Sequence, residues 1–74
     1  MELRTTANAI EIMKALQSLG FYQARTKGDH FVFKKDGFST QVPYHSGNKV
    51  VPKGTINLIC RNAGITKKQL MQSI

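Results

Sequence analysis

Two histidines, His30 and His45, are the only side chains in this 74-residue sequence that ordinarily titrate near neutral pH. An imidazole in that range takes and gives protons readily, which suits general acid–base catalysis. Arg25, Lys27 and Lys34 lie close to His30 in sequence, and cations offset the charge that develops on a phosphate during cleavage. Because RNA carries its own nucleophile, the 2′-hydroxyl, this set of residues is typical of metal-free RNA cleavage.

The spacing around His30 also fits a plain turn, Gly28-Asp29, followed by an exposed histidine with no catalytic role. Asp29 has two opposed effects in the catalytic interpretation. It could orient the imidazole and hold its proton, or its negative charge could repel an approaching phosphate.

His45 lies in a polar loop at residues 44–49. Loops of this composition hydrogen-bond phosphates or sugars, although a solvent-exposed loop histidine explains the same residue. Lys53 adds positive charge on this side. Gly54-Thr55 begin a predicted helix, and the free backbone N–H groups there either form a weak anion site or are capped within the chain.

Several other chemistries have no motif in the sequence. It has no Gly-rich phosphate loop, no His-Glu-x-x-His helix and no paired cysteines. Cys60 is the one cysteine, so an internal disulfide is impossible. We expect a reducing, cytoplasmic location.

These candidates must be positioned by helices and strands, and the first segment is helical. Apolar residues recur at helical spacing through residues 5–19. We expect Thr5 or Thr6 to cap the start of this helix, and Gly20 to end it in a left-handed conformation.

The middle of the chain is rich in aromatic and β-branched residues, which favours three short strands at 21–27, 30–34 and about 38–43. Gly28-Asp29 and Asp36-Gly37 suit the tight turns between them. Alternation along the second strand points two phenylalanines toward the core and His30 and Lys34 toward the other face, which we expect to be open to water.

Two further helices are predicted after the strands. Ile56, Ile59, Cys60 and Ala63 form an apolar stripe that ends at Gly64, and residues 66–69 read as a capping box. The predicted architecture is therefore an α+β domain of order α-β-β-β-α, with a three-stranded antiparallel sheet, helices on one face and a short extra C-terminal helix.

Length and charge are consistent with one small nucleic-acid-binding domain over residues 1–74. The formal net charge is +7, and residues 25–74 carry nine basic residues against two acidic ones, which accounts for the whole excess. A polyanion such as RNA or DNA is the expected partner, although a basic surface can also serve solubility alone. No apolar run is long enough to span a membrane, and no secretion signal is expected at the N-terminus.

Six short motifs, in this order and spacing, closely resemble the HicA toxins of bacterial toxin–antitoxin systems. They span most of the chain: Leu-Gly-Phe at 19–21, Lys-Gly-Asp-His at 27–30, Val-Pro-Tyr-His at 42–45, Pro-Lys-Gly-Thr-Ile at 52–56, Ile59, and Ala-Gly-Ile at 63–65.

The resemblance implies a fold like the double-stranded-RNA-binding domain and an endoribonuclease activity on messenger RNA. It implies that His30 is the catalytic acid or base, and that a HicB-type antitoxin covers the active surface and inhibits the toxin. Operator DNA is expected to be contacted only through the antitoxin complex, and no metal or cofactor is expected. RNA contacts are predicted for seven residues: Arg25, Lys27, Gly28, Asp29, Lys34, His45 and Lys53.

The sequence departs from the family pattern at Asp29, where family members usually carry Ser and sometimes Gly. A serine hydroxyl can donate a hydrogen bond to phosphate, whereas an ionised carboxylate only accepts. We therefore expect this copy to be active but weakened. Two alternatives remain open: a module that binds RNA without cutting it, and a repressor subunit that acts through its antitoxin and operator DNA.

Overall fold

The computed structural model describes residues 5–44 and 49–74. The predicted α-β-β-β-α order with a short extra C-terminal helix is confirmed. Its elements are α1 (Ala9–Ser18), β1 (Tyr22–Lys27), β2 (His30–Lys35), β3 (Phe38–Pro43), α2 (Lys53–Ala63) and α3 (Lys67–Gln72).

The first helix is capped by Asn8, so the predicted cap at Thr5 or Thr6 is wrong. The Asn8 side chain accepts a hydrogen bond from the Glu11 N–H at 2.9 Å, and the Glu11 carboxylate accepts one from the Asn8 N–H at 3.0 Å. This capping box satisfies two backbone donors that the helix leaves free. The helix begins no earlier because the backbone at Asn8 is extended and bridges to the segment at residues 50–51.

The end of α1 is fixed by a lysine that sequence reasoning had not singled out. Gly20 has a φ of +97°, as the predicted helix stop requires. The Lys35 ammonium donates to the Leu19 carbonyl at 2.6 Å and lies 5.9 Å from the centre of the Phe21 ring. A cation at a helix C-terminus is favourable because free carbonyls there carry partial negative charge.

The three strands form an antiparallel sheet in the order β1-β2-β3. Both predicted turns are present, with Gly28 at a φ of +61° in the first and Asp36-Gly37 at +48° and +86° in the second. A β-bulge between Gln23 and Arg25 shifts the register of β1. The first strand begins at Tyr22, one residue later than predicted.

The core lies between one face of the sheet and the helices. Phe33 and Val42 face it from the sheet, and both are fully buried. Thr40, the one buried polar side chain among the described residues, donates to the Ile59 carbonyl at 3.1 Å. The helices contribute the larger share of the big, fully buried apolar side chains: Ile12, Leu16, Ile56, Ile59 and Leu70. Each such side chain stabilises the fold by about 1.5–3 kcal/mol.

The opposite face of the sheet is less open than predicted. Val32 lies on that face between Arg25 and Gln41, yet only 2% of its surface is exposed. The expectation that this face stays wholly open to water is therefore wrong at its centre. In contrast, all six residues of β1 are exposed, so this strand lies beyond the cover of the helices.

None of the helices in the described part of the chain is long and apolar enough to cross a membrane.

Candidate active site

His30 is the first residue of β2 and follows directly on the Gly28-Asp29 turn. Its Nδ1 atom lies 3.0 Å from Oδ1 of Asp29, and both side chains are about half-exposed, at 42% and 50%. An ionised carboxylate can only accept a hydrogen bond, so Nδ1 carries the proton in this contact. The second ring nitrogen, Nε2, is therefore the atom left to take a proton from a substrate.

The turn that precedes His30 is held in place by Tyr44, the residue that follows β3. The Tyr44 N–H donates to the Asp29 carbonyl at 2.7 Å, and the Tyr44 ring lies 5.1 Å from the Phe31 ring, centre to centre. A Cβ at Gly28 would meet no atom within 4 Å. Glycine at this position therefore serves the positive φ of the turn, not a tight space.

The sheet register places basic side chains on the same face as His30. Directly opposite residues in antiparallel strands share a face, and Lys27 pairs with His30 while Arg25 pairs with Val32. Lys34, four residues along β2, also lies on this face. The β1 side of His30 is therefore basic, with Lys27 directly opposite it.

The other side of His30 opens into a groove between β3 and α2. We call this the β3–α2 groove; its volume is about 670 Å³. Its floor is the His30 face of β3, with Ser39, Gln41 and Pro43, and its wall is one side of α2, with Thr55, Leu58 and Asn62. His30 lines the groove at the end where it pairs with Pro43.

The residues predicted to contact RNA differ in where they lie. Asp29 and Gly28 form the turn, and Arg25, Lys27 and Lys34 share the sheet face of His30. The turn and Lys27 adjoin His30, whereas Lys34 lies at the other end of β2. Lys53 is the exposed first residue of α2 and does not line the groove. His45 lies outside the described residues.

Sequence reasoning missed the groove and its lining. Alternation along β3 puts Ser39, Gln41 and Pro43 on the His30 face, and helical spacing puts Leu58 and Asn62 on one side of α2. Both patterns are visible in the sequence. Their meeting depends on how α2 lies along β3, which neither pattern specifies.

Among the residues that the structure describes, no metal-binding cluster and no thiol adds to the site. In residues 5–44 and 49–74, no three His, Cys, Asp or Glu side chains lie close enough to hold a metal ion. Cys60 is buried in the core, and burial raises the pKa of its thiol, with Lys67 opposing that shift. It is a small apolar core residue and not a nucleophile of this site.

Fold and site together define a class: a small α+β domain like the double-stranded-RNA-binding fold, with a half-exposed histidine beside basic side chains. The family follows from comparison with known proteins. The family model described as the HicA toxin of bacterial toxin–antitoxin systems matches residues 10–65, and the chain belongs to that family. The match includes His30, Asp29 and the residues that line the groove. No curated protein matches the chain.

Membership gives the chain a role and a kind of partner. It is a toxin of a toxin–antitoxin system, and its partner is an antitoxin.

Proposed function

We propose that the toxin acts as a metal-independent endoribonuclease on messenger RNA, with His30 as the general acid or base. The observation that supports this most strongly is the contact of His30 Nδ1 with Asp29, which leaves Nε2 for the substrate. The antitoxin of this proposal is a HicB-type protein that covers the His30 face, and operator DNA is contacted only through the complex.

The chemistry needs only RNA, water and the side chains at the site. Nε2 of His30 takes the proton of a 2′-hydroxyl as that oxygen bonds to the adjacent phosphorus. The bond from phosphorus to the 5′-oxygen breaks, that oxygen takes a proton from water, and Nε2 of His30 later returns its own proton to the solvent. The products are a 2′,3′-cyclic phosphate and a 5′-hydroxyl end. One positioned acid or base contributes about 10²–10⁴ in rate.

Positive charge on the His30 face has a defined part in this mechanism. Lys27, opposite His30, and Arg25, one row further along the sheet, offset the negative charge that develops on the phosphate. Lys34, at the other end of β2, holds the RNA backbone without touching the reacting atoms. His45 and Lys53 are proposed as further backbone contacts.

The experiment incubates the purified chain and a His30→Ala variant with a defined messenger RNA in EDTA and sequences the ends. Cleavage by the wild type alone, with 2′,3′-cyclic phosphate ends, is the expected result. Cleavage by both proteins contradicts the role of His30. RNA binding without cleavage by either protein contradicts the nuclease proposal and favours a binding module.

Binding and catalysis are separated by a matched substitution in β2. Lys34→Ala should weaken RNA binding and lower its salt dependence by about one phosphate contact. His30→Ala should leave binding nearly unchanged. The reverse pattern would mean that His30 holds RNA and has no part in its chemistry.

A further inference from the structure

The β3–α2 groove differs in chemistry from the basic surface on the other side of His30. None of its lining residues carries a fixed charge. The lining offers two amides, Gln41 and Asn62, and two hydroxyls, Ser39 and Thr55. Leu58 adds an apolar surface and is 53% exposed.

The dimensions of the groove suit a ligand of nucleoside size. Its floor from Ser39 to Pro43 is about 13 Å long at the rise of a strand, and its wall from Thr55 to Asn62 is about 10 Å at the rise of a helix. Its volume of about 670 Å³ lies within the roughly 300–1,000 Å³ of typical small-molecule sites.

The position of the groove beside His30 indicates which ligand it binds. The row of side chains across the sheet runs Lys27, His30, Pro43, so His30 stands between a cation and the mouth of the groove. A phosphate drawn to Lys27 and in reach of His30 leaves the attached nucleotide on the groove side. Sequence-specific recognition of RNA uses unpaired bases, whose edges are hydrogen-bonded and whose faces are stacked.

We propose that the β3–α2 groove binds one unpaired nucleobase next to the scissile phosphate, and so determines where the toxin cuts. This inference rests on the proposed nuclease function. Gln41 and Asn62 read the edge of the base with their amides, as these side chains do when they hydrogen-bond adenine in two places. Leu58 contacts the face of the base.

The experiment maps cut sites on an RNA pool of randomised sequence in EDTA. The proteins are the wild type, Gln41→Ala, Leu58→Ala and Asn62→Ala, with Asn57→Ala as the matched control. Asn57 is an exposed asparagine of the same helix that does not line the groove. All four substituted residues are exposed, so the variants should fold like the wild type, which circular dichroism checks.

The expected result is a base preference at one position beside the cut, lowered in the groove variants and unchanged in Asn57→Ala. The loss should be about 5- to 150-fold for each amide, the range that one good two-point contact to a base supplies. Total cleavage of the pool should fall far less than cleavage at the preferred site.

Two outcomes would contradict the inference, and a third would contradict the proposed nuclease function on which it rests. If the wild type cuts and the groove variants keep its cut sites, the groove does not read the base. If the variants keep the cut sites and lose only inhibition by purified antitoxin, the groove binds protein. If the wild type cuts no RNA, the proposed function is wrong and this inference is wrong with it.

Discussion

Removal of the Asp29 carboxylate tests how this chain's departure from its family affects the reaction. We predict that Asp29→Ser cleaves RNA faster than the wild type. A serine hydroxyl can still accept from Nδ1 of His30, or donate to a phosphate oxygen, and it carries no charge to repel the substrate. Asp29→Asn should also be faster if charge is the main effect.

The size of the gain follows from the geometry. Asp29 Oδ1 lies 3.0 Å from His30 Nδ1. The width of the imidazole ring and a hydrogen bond between Nε2 and a phosphate oxygen add about 5 Å. Two negative charges about 8 Å apart repel by about 0.5 kcal/mol in water and about 2 kcal/mol at an effective dielectric constant of 20. Because both side chains are half-exposed, the lower half of this range applies, about 0.5–1 kcal/mol, and we expect about a two- to fivefold gain.

The assay is single-turnover cleavage of a defined RNA in EDTA, at low and at high salt. The gain should shrink at high salt, since the screening length falls from about 10 Å at 0.1 M to about 3 Å at 1 M. Asp36→Asn is the matched control. It removes one negative charge in the turn at the opposite end of β2, about 20 Å away, and asparagine tolerates the positive φ of that turn.

A slower Asp29→Ser variant refutes this reasoning. If Asp29→Asn is slow as well, while Asp36→Asn matches the wild type, the carboxylate is needed to orient the imidazole of His30. A gain of equal size in Asp36→Asn would show that the effect belongs to overall charge and not to the site.

Three further predictions concern the fold around the site. Lys35→Met should lower the free energy of unfolding by about 1.5–3 kcal/mol in chemical denaturation, because it removes a charge-assisted hydrogen bond to the end of α1. Lys34 is exposed, and Lys34→Met should change the free energy of unfolding by less than about 0.5 kcal/mol. Equal losses in the two variants would contradict the role of the bond. Gly64→Ala should cost about 1–3 kcal/mol, since the backbone there has a φ of +71° and the new Cβ would lie 2.5 Å from the Phe38 ring; an unchanged melting temperature would refute this. Cys60 should react slowly with thiol reagents in the native protein and quickly in denaturant, because the side chain is buried and burial raises the pKa of its thiol. As the pH rises, labelling of the unfolded chain should level off first, whereas native labelling should keep accelerating to a higher pH; equal rates would show that the thiol is accessible.

Local sequence patterns predicted most of the fold because most of its elements are specified locally. The turn at Asp36-Gly37 needs two residues that accept positive φ, and the helix that ends at Gly64 needs a left-handed residue there. Both signals lie within a few residues. The cap of α1 was predicted wrongly because Thr5 and Asn8 are both good caps, and pairing with a distant segment decides between them.

The candidate site was predictable in part for the same reason. His30, Asp29 and Lys27 are neighbours across one tight turn, so alternation and turn length place them together. The groove depends on how β3, which carries Gln41, lies beside α2, which carries Leu58, and no local pattern specifies that placement. Non-local packing of this kind follows from the whole core and not from a motif.

The role of His30 is tested by the single-turnover cleavage rates of the wild type and of His30→Ala, measured on one RNA in EDTA at protein concentrations that bind the RNA equally. We expect cleavage by the variant to be about 10²–10⁴-fold slower. Its circular dichroism spectrum should match that of the wild type, because the His30 side chain is half-exposed and outside the core. Rates within tenfold of each other at equal binding would contradict the central claim that His30 moves the proton.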